Sequence, residues 1–290
     1  MDALMYKIVL LLLFVSFEVF ADIELNIESC NSKQAVVKYN VKCNKKISSL
    51  IVYRSYVNIS KFDYLDLYTY PITKTILPEK SYKSGINDTL LASNCTYYYY
   101  MKAVMDDSSV CSSPVVKCVI PEQKITVPVN GKAVIWVDKE NYFLELRCGG
   151  AVVKRYPVSL GGNPFKRKLH YDCMSTPEGK YYISILKPNS DYHKSIGINY
   201  PNSVDRARYK KAIEEGTIPP VNGKVPDIGG SITIHGGGIG NNWTWGCMAM
   251  RNDDIDELFE VFKIKTGIPV LISGKEVSRD ELFDSINLCN

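Results

Sequence analysis

Ser231-Ile232-Thr233-Ile234-His235-Gly236-Gly237-Gly238-Ile239-Gly240-Asn241-Asn242-Trp243-Thr244-Trp245-Gly246-Cys247-Met248-Ala249-Met250 is the stretch whose reading decides the fold. Its first five residues alternate as a strand does, so Ile232 and Ile234 turn to one face while Ser231, Thr233 and His235 turn to the other. The imidazole is expected on a polar surface. The glycines that follow carry no Cβ, so backbone there can approach a ligand closely. Cys247 stands twelve residues after His235, just before a helix predicted over Asp253–Phe262, in which Ile255, Leu258, Phe259 and Phe262 recur at helical spacing. Gly246 can take the dihedrals of a sharp turn, and amides near Gly246 and Cys247 can then converge on one point. An acyl-transfer site needs those parts: a thiol nucleophile, a base, and N–H donors for the oxyanion. A Cys and a His at this distance are a weak sign alone, because in an exported chain the default cysteine is half of a disulfide.

The surrounding segments strengthen the sign. Thr244-Trp245-Gly246-Cys247 resembles the Ser/Thr-His-Gly-Cys motif of the L,D-transpeptidase catalytic domain (YkuD) family, which follows a His after a variable loop. Val158-Ser159-Leu160-Gly161-Gly162-Asn163-Pro164 resembles the strand and turn that open the family's cleft, and Thr176-Pro177-Glu178-Gly179-Lys180-Tyr181 its Thr-Pro-Glu-Gly-x-Tyr segment. Asn199 to Arg208 resembles the Tyr-Pro-Asn-x-x-Asp-x-x-Arg stretch of its ErfK/YafK branch. The resemblance covers about 150 residues. It implies Cys247 as nucleophile, His235 as base, Gly246 and Gly236 as backbone contributors to oxyanion binding and imidazole orientation, and no cofactor or metal. The substrate it implies is a peptidoglycan stem tetrapeptide, attacked at the carbonyl of its third residue. Trp245 stands where the motif has its second His, and is expected as an apolar wall or stacking face for substrate. Arg251 is either a clamp for a stem-peptide carboxylate or a solvated charge at the start of a helix. His193 and His170 are expected as structural or loop residues. Transpeptidation is the first reading; a peptidoglycan hydrolase or amidase using the same dyad, and a non-catalytic exported binding protein, are the alternatives.

At 290 residues the chain is long enough for about two domains. A net charge of +4 with 46% hydrophobic residues provides no basic stripe for nucleic acid and excludes disordered and collagenous classes. Residues 1–21, with Lys7 ahead of an apolar run and Val19 and Ala21 as small residues at the cleavage site, read as a signal peptide. No later segment is apolar enough to span a bilayer, so the mature chain is expected in the periplasm, at the cell wall or outside the cell.

Residues 22–120 show short alternating runs with no credible helix, and are expected to fold as a fibronectin type III or immunoglobulin-like β-sandwich. This module is a spacer or adhesive unit, and its tyrosine run can offer a surface to a carbohydrate or protein, although alternation turns half of those rings into the core. A linker over 121–128 leads to the second domain, 129–290, which reads as mostly β with a few helices, the first at Ser203–Glu215. Nine cysteines leave one over. With Cys247 set aside as the reactive thiol, five lie in the first module and three in the second, so full pairing requires a bridge between them. Cys118–Cys289 is the expected bridge, with Cys148–Cys173 inside the second domain. Four Asn-x-Ser/Thr sequons begin at Asn58, Asn87, Asn94 and Asn242.

Overall fold

The computed structural model describes residues 21–58, 60, 66–78, 83–125, 132–262 and 266–284. The expected signal peptide, apart from Ala21, lies outside those residues, as do Cys289 and the end of the linker. The first module contains β1 (Ala21–Cys30), β2 (Ala35–Cys43), β3 (Ile47–Ser55), α1 (Asp66–Thr69), β4 (Ile72–Leu77), β5 (Lys83–Asp88), β6 (Cys95–Met105), β7 (Val110–Ser112) and β8 (Val116–Ile120). These strands form a three-stranded sheet, β1-β2-β5, and a second sheet ordered β4-β3-β6-β7 with β8 also paired to β6. The two sheets share one core, to which Ile23, Val37 and Tyr39 contribute from the first and Leu50, Val52, Tyr97 and Tyr99 from the second. The module is therefore a β-sandwich. In β6 burial alternates without a break, which puts Tyr97 and Tyr99 inside and leaves Tyr98 and Tyr100 half-buried. The helix α1 corrects the expectation of a helix-free module; a single turn of four residues is too short to leave a periodic signature.

The second domain contains β9 (Ala133–Asp138), β10 (Phe143–Cys148), β11 (Ala151–Pro157), a 3₁₀ turn at Tyr171–Cys173, β12 (Gly179–Ser190), β13 (His193–Ile198), α2 (Ser203–Glu214), β14 (Thr233–His235), β15 (Met248–Ala249), α3 (Asn252–Phe262), β16 (Pro269–Ser273) and α4 (Arg279–Phe283). Its sheet has eight strands in the order β11-β10-β9-β16-β12-β13-β14-β15, mostly antiparallel, with β9/β16 and β14/β15 parallel. Helix α3 buries Ile255, Leu258, Phe259 and Phe262, as its spacing predicts. Helix α2 begins at a capping box in which Asn202 and Asp205 bond each other's backbone N–H. Strand β13 and helix α4 were not read from the sequence.

The expected disulfides are corrected. Cys118 is bridged to Cys30, which ties β8 to β1 inside the sandwich and rules out the Cys118–Cys289 bridge. Cys173 keeps its thiol, which donates to the His170 carbonyl at 2.9 Å, so the Cys148–Cys173 bridge is not formed. The modules are joined by hydrogen bonds instead. Buried Arg54 pairs with Asp88 at 2.9 Å and reaches across to Asn141 Oδ1 at 3.0 Å, and the Tyr56 hydroxyl donates to the Val158 carbonyl at 2.7 Å.

Candidate active site

The sheet edge sets the site. Ile234 pairs with Met248 and His235 with Ala249, which places Cys247 alongside Thr233. The Thr233 amide donates to Cys247 Sγ at 3.4 Å and its hydroxyl lies at 3.7 Å, while the thiol itself donates to the Ser231 carbonyl at 3.6 Å. Two donors of Thr233 therefore face one sulfur. Thr233 and His235, two residues apart on a strand, share a face. The imidazole is not among the hydrogen-bond partners of Cys247 among the described residues.

His235 is buried rather than displayed on a polar surface, with 3% of its area exposed. The correction arises from residues outside the strand: Tyr192 stacks on the ring at 4.8 Å and Trp243 meets it edge-on at 5.6 Å. Nδ1 lies 2.6 Å from the Gly236 carbonyl, which can only accept, so Nδ1 carries the proton and Nε2 keeps its lone pair. Burial pushes the imidazolium down from its ordinary value and the Gly236 bond opposes it only in part, so the neutral ring is favoured. The Gly236 carbonyl thus fixes one edge of the ring. The glycine loop is held at both ends of that turn, with Asn252 Oδ1 accepting from Gly237 N–H at 2.9 Å and the Met250 carbonyl accepting from Gly238 N–H at 2.9 Å.

At the nucleophile turn, Gly246 has φ +126°, and a Cβ there would lie 2.5 Å from the Ser175 carbonyl. Only glycine fits. Its N–H is already engaged by Thr244 Oγ1 at 3.1 Å, and the same hydroxyl donates to the Cys247 carbonyl at 2.7 Å. Gly246 therefore shapes the turn with its own N–H occupied, and no acceptor of the Cys247 N–H is found among the described residues. Trp245 is 51% exposed and lies against Tyr171 with ring centroids 5.3 Å apart.

Arg251, expected as a substrate clamp or a solvated charge, makes its contacts within the chain. Its guanidinium pairs with Asp254 at 2.6 Å and donates to the carbonyls of Asn94 at 2.6 Å and Ser93 at 3.4 Å, so it fastens the second domain to the first. Neither alternative read from sequence anticipated a contact 157 positions away. Asn242, noted only as a sequon, is buried and ties three segments together. Its Oδ1 accepts from Leu160 N–H at 3.2 Å, and its Nδ2 donates to the carbonyl of Tyr68, within α1, at 3.0 Å. The first module thus reaches the loop that joins His235 to Cys247. His193 pairs with Asp256 at 2.7 Å, a structural role as expected.

The Thr-Pro-Glu-Gly segment serves as framework. Glu178 accepts from buried Lys139 Nζ at 2.7 Å and from the amides of Glu276 and Val277 at 2.9 and 3.0 Å. Burial alone pushes the Lys139 ammonium down, and Glu178 counters it. Gly161 N–H donates to Thr176 Oγ1 at 3.1 Å, which anchors the cleft strand beside the nucleophile turn.

Residues 132–272 match the family model described as the L,D-transpeptidase catalytic domain, YkuD. Two curated Escherichia coli proteins, from strain K12 and from O157:H7, are each named "Putative L,D-transpeptidase YafK"; both are 34% identical over 87 residues, 29% of this chain and 27% of the relative. The chain therefore spans just over a quarter of those relatives' length. Among solved structures, an L,D-transpeptidase (residues 123–326) from Xylanimonas cellulosilytica is 14% identical, with a TM-score of 0.32, covering 52% of this chain and 65% of that one. The second domain of this chain belongs to the YkuD family of L,D-transpeptidase catalytic domains.

Proposed function

We propose that this protein is a cysteine-dependent acyl transferase that forms or remodels peptidoglycan cross-links, acting on stem tetrapeptides through a thioester on Cys247. The observation that carries this reading is the pairing of β14 with β15, which sets Cys247 Sγ against Thr233 on the strand face shared with His235. His235 Nε2 takes the thiol proton, and the thiolate attacks the carbonyl of the third stem residue. The C–N bond to the terminal D-alanine breaks, and the proton passes from the imidazolium to the departing amine. An acceptor amine then attacks the thioester, gives its proton to Nε2, and releases Cys247 as the cross-link forms. The Cys247 N–H serves the oxyanion of both steps; loss of one such donor typically costs about 3 kcal/mol of transition-state stabilisation. The apolar run that opens the chain is read as an export signal, which delivers the enzyme to its wall substrate. Among the described residues no helix is long and apolar enough to cross a membrane.

Incubating the purified protein with disaccharide tetrapeptides and weighing the products tests the reading. A cross-linked dimer, absent with Cys247→Ala, is the expected result. A shortened monomer would move the protein to hydrolysis, and an unchanged substrate would remove the activity.

A further inference from the structure

Lys168 lies against the nucleophile turn, and the mechanism above leaves it without a task. Its side chain is buried, with 2% of the residue exposed. Nζ donates to the Trp245 carbonyl at 2.9 Å and to the Tyr171 carbonyl at 3.5 Å, and a Cβ on Gly246 would lie 3.3 Å from it. The ammonium thus sits against the turn Trp245-Gly246-Cys247 from behind. Among the described residues it has no carboxylate within ion-pair distance, and two carbonyls use only two of its three N–H groups. A buried charge without a counter-ion is costly, and proteins normally pair it. Lys139 in the same domain is so paired, with Glu178.

Burial pushes the Lys168 ammonium down from its ordinary value, and the thiols of Cys173 and Cys247, then the carboxylate of Asp172, oppose that. His170 lies close enough for the ammonium to disfavour its protonation, and Arg208 on α2 donates to the Lys168 carbonyl at 3.3 Å. On the far side of Cys247 stand Thr233 and, on the same strand face, His235. The counter-charge missing from the resting site is therefore one that appears when a neighbouring thiol ionises.

We propose that Lys168 is a positioning residue for the acyl-transfer reaction: it fixes the nucleophile turn through the Trp245 carbonyl and supplies the positive charge that the Cys247 thiolate requires. The proposal rests on the reading of Cys247 as nucleophile. Its role has two separable parts, a hydrogen bond and a charge. Lys168→Gln keeps an N–H donor and loses the charge, Lys168→Met loses both, and Lys168→Arg keeps both.

The test is iodoacetamide alkylation of the full protein across pH, with Cys247 followed by peptide mass mapping and buried Cys95 as an internal reference. At pH 7 the Gln and Met variants are expected to alkylate Cys247 about tenfold more slowly than wild type, the consequence of a one-unit upward move of the pH midpoint, and Arg to restore the wild-type profile. A purely structural role would change melting temperature without moving that midpoint. If Met fails to fold, Gln decides: a wild-type pH profile for Cys247 in Lys168→Gln overturns the proposal. Alkylation needs no substrate and no turnover, so failure here is distinct from failure of the thioester reading, which Cys247→Ala tests by loss of product.

Discussion

Lys139 and Lys168 are buried on either side of one segment, and their surroundings differ. The first donates to the Thr176 carbonyl at 3.0 Å and closes an ion pair with Glu178, itself held by two amides. The second shares that carbonyl through its own backbone N–H at 3.3 Å, but its ammonium donates to two carbonyls and closes no ion pair among the described residues. One lysine completes a framework; the other is left open beside the nucleophile. The difference teaches that burial alone does not distinguish a structural cation from a functional one. What distinguishes them is whether the counter-charge is present at rest.

The largest expected effect comes from Lys139→Met, which strands Glu178 without its cation and should cost about 3–5 kcal/mol of folding stability. Lys168→Met strands no carboxylate but leaves the Trp245 and Tyr171 carbonyls without their donor, so its loss of stability should be smaller, about 1–3 kcal/mol, while Cys247 reactivity falls. Equal losses of stability in both variants would erase the contrast. Asn242→Ala should follow, at about 1–3 kcal/mol for the buried Leu160 amide and Tyr68 carbonyl left without their partner, with a fall in acyl-transfer rate because the loop between His235 and Cys247 loses its tie to the first module. Chemical denaturation and single-turnover kinetics read the two effects separately. A smaller loss, about 1–2 kcal/mol, is expected for Arg251→Ala, whose half-exposed guanidinium bonds the Ser93 and Asn94 carbonyls; unchanged substrate affinity in this variant would support its interface role, and a raised KM would restore the clamp. The smallest effect concerns pH. Burial lowers the folded pKa of His235, so the unfolded chain binds the proton first as pH falls below about 6.5. The stability contributed by the neutral imidazole is complete above that value and is lost as pH falls through the lower folded value. Wild type should therefore lose more stability than His235→Gln between pH 7 and pH 5, and parallel curves would contradict it.

Much of this was legible in the sequence where a local rule sufficed. The alternation of β6, the helical spacing of α3 and the glycine at position 246 each follow from residues within one element, and the structure keeps them. Residues whose role depends on contacts across the chain were misread or missed. Arg251 read as either a clamp for substrate or a solvated charge because nothing near it in sequence reveals Ser93 and Asn94, and Asn242 registered only as the start of a sequon because its partners include another module. His235 was expected on an open polar face because strand parity says nothing about Tyr192 lying over it. The cysteine arithmetic failed for a related reason: parity counts thiols, whereas pairing needs proximity, and Cys30 lies within bonding distance of Cys118 at opposite ends of the same sandwich sequence.

The central claim is that the Cys247 sulfur carries the acyl group. Brief incubation with a disaccharide tetrapeptide, acid quench and peptide mapping measure it directly. The account predicts a hydroxylamine-labile adduct on the Cys247 peptide that adds the mass of the substrate less one molecule of free alanine, and none in Cys247→Ala. An adduct on another cysteine, or product formed by Cys247→Ala, would contradict it.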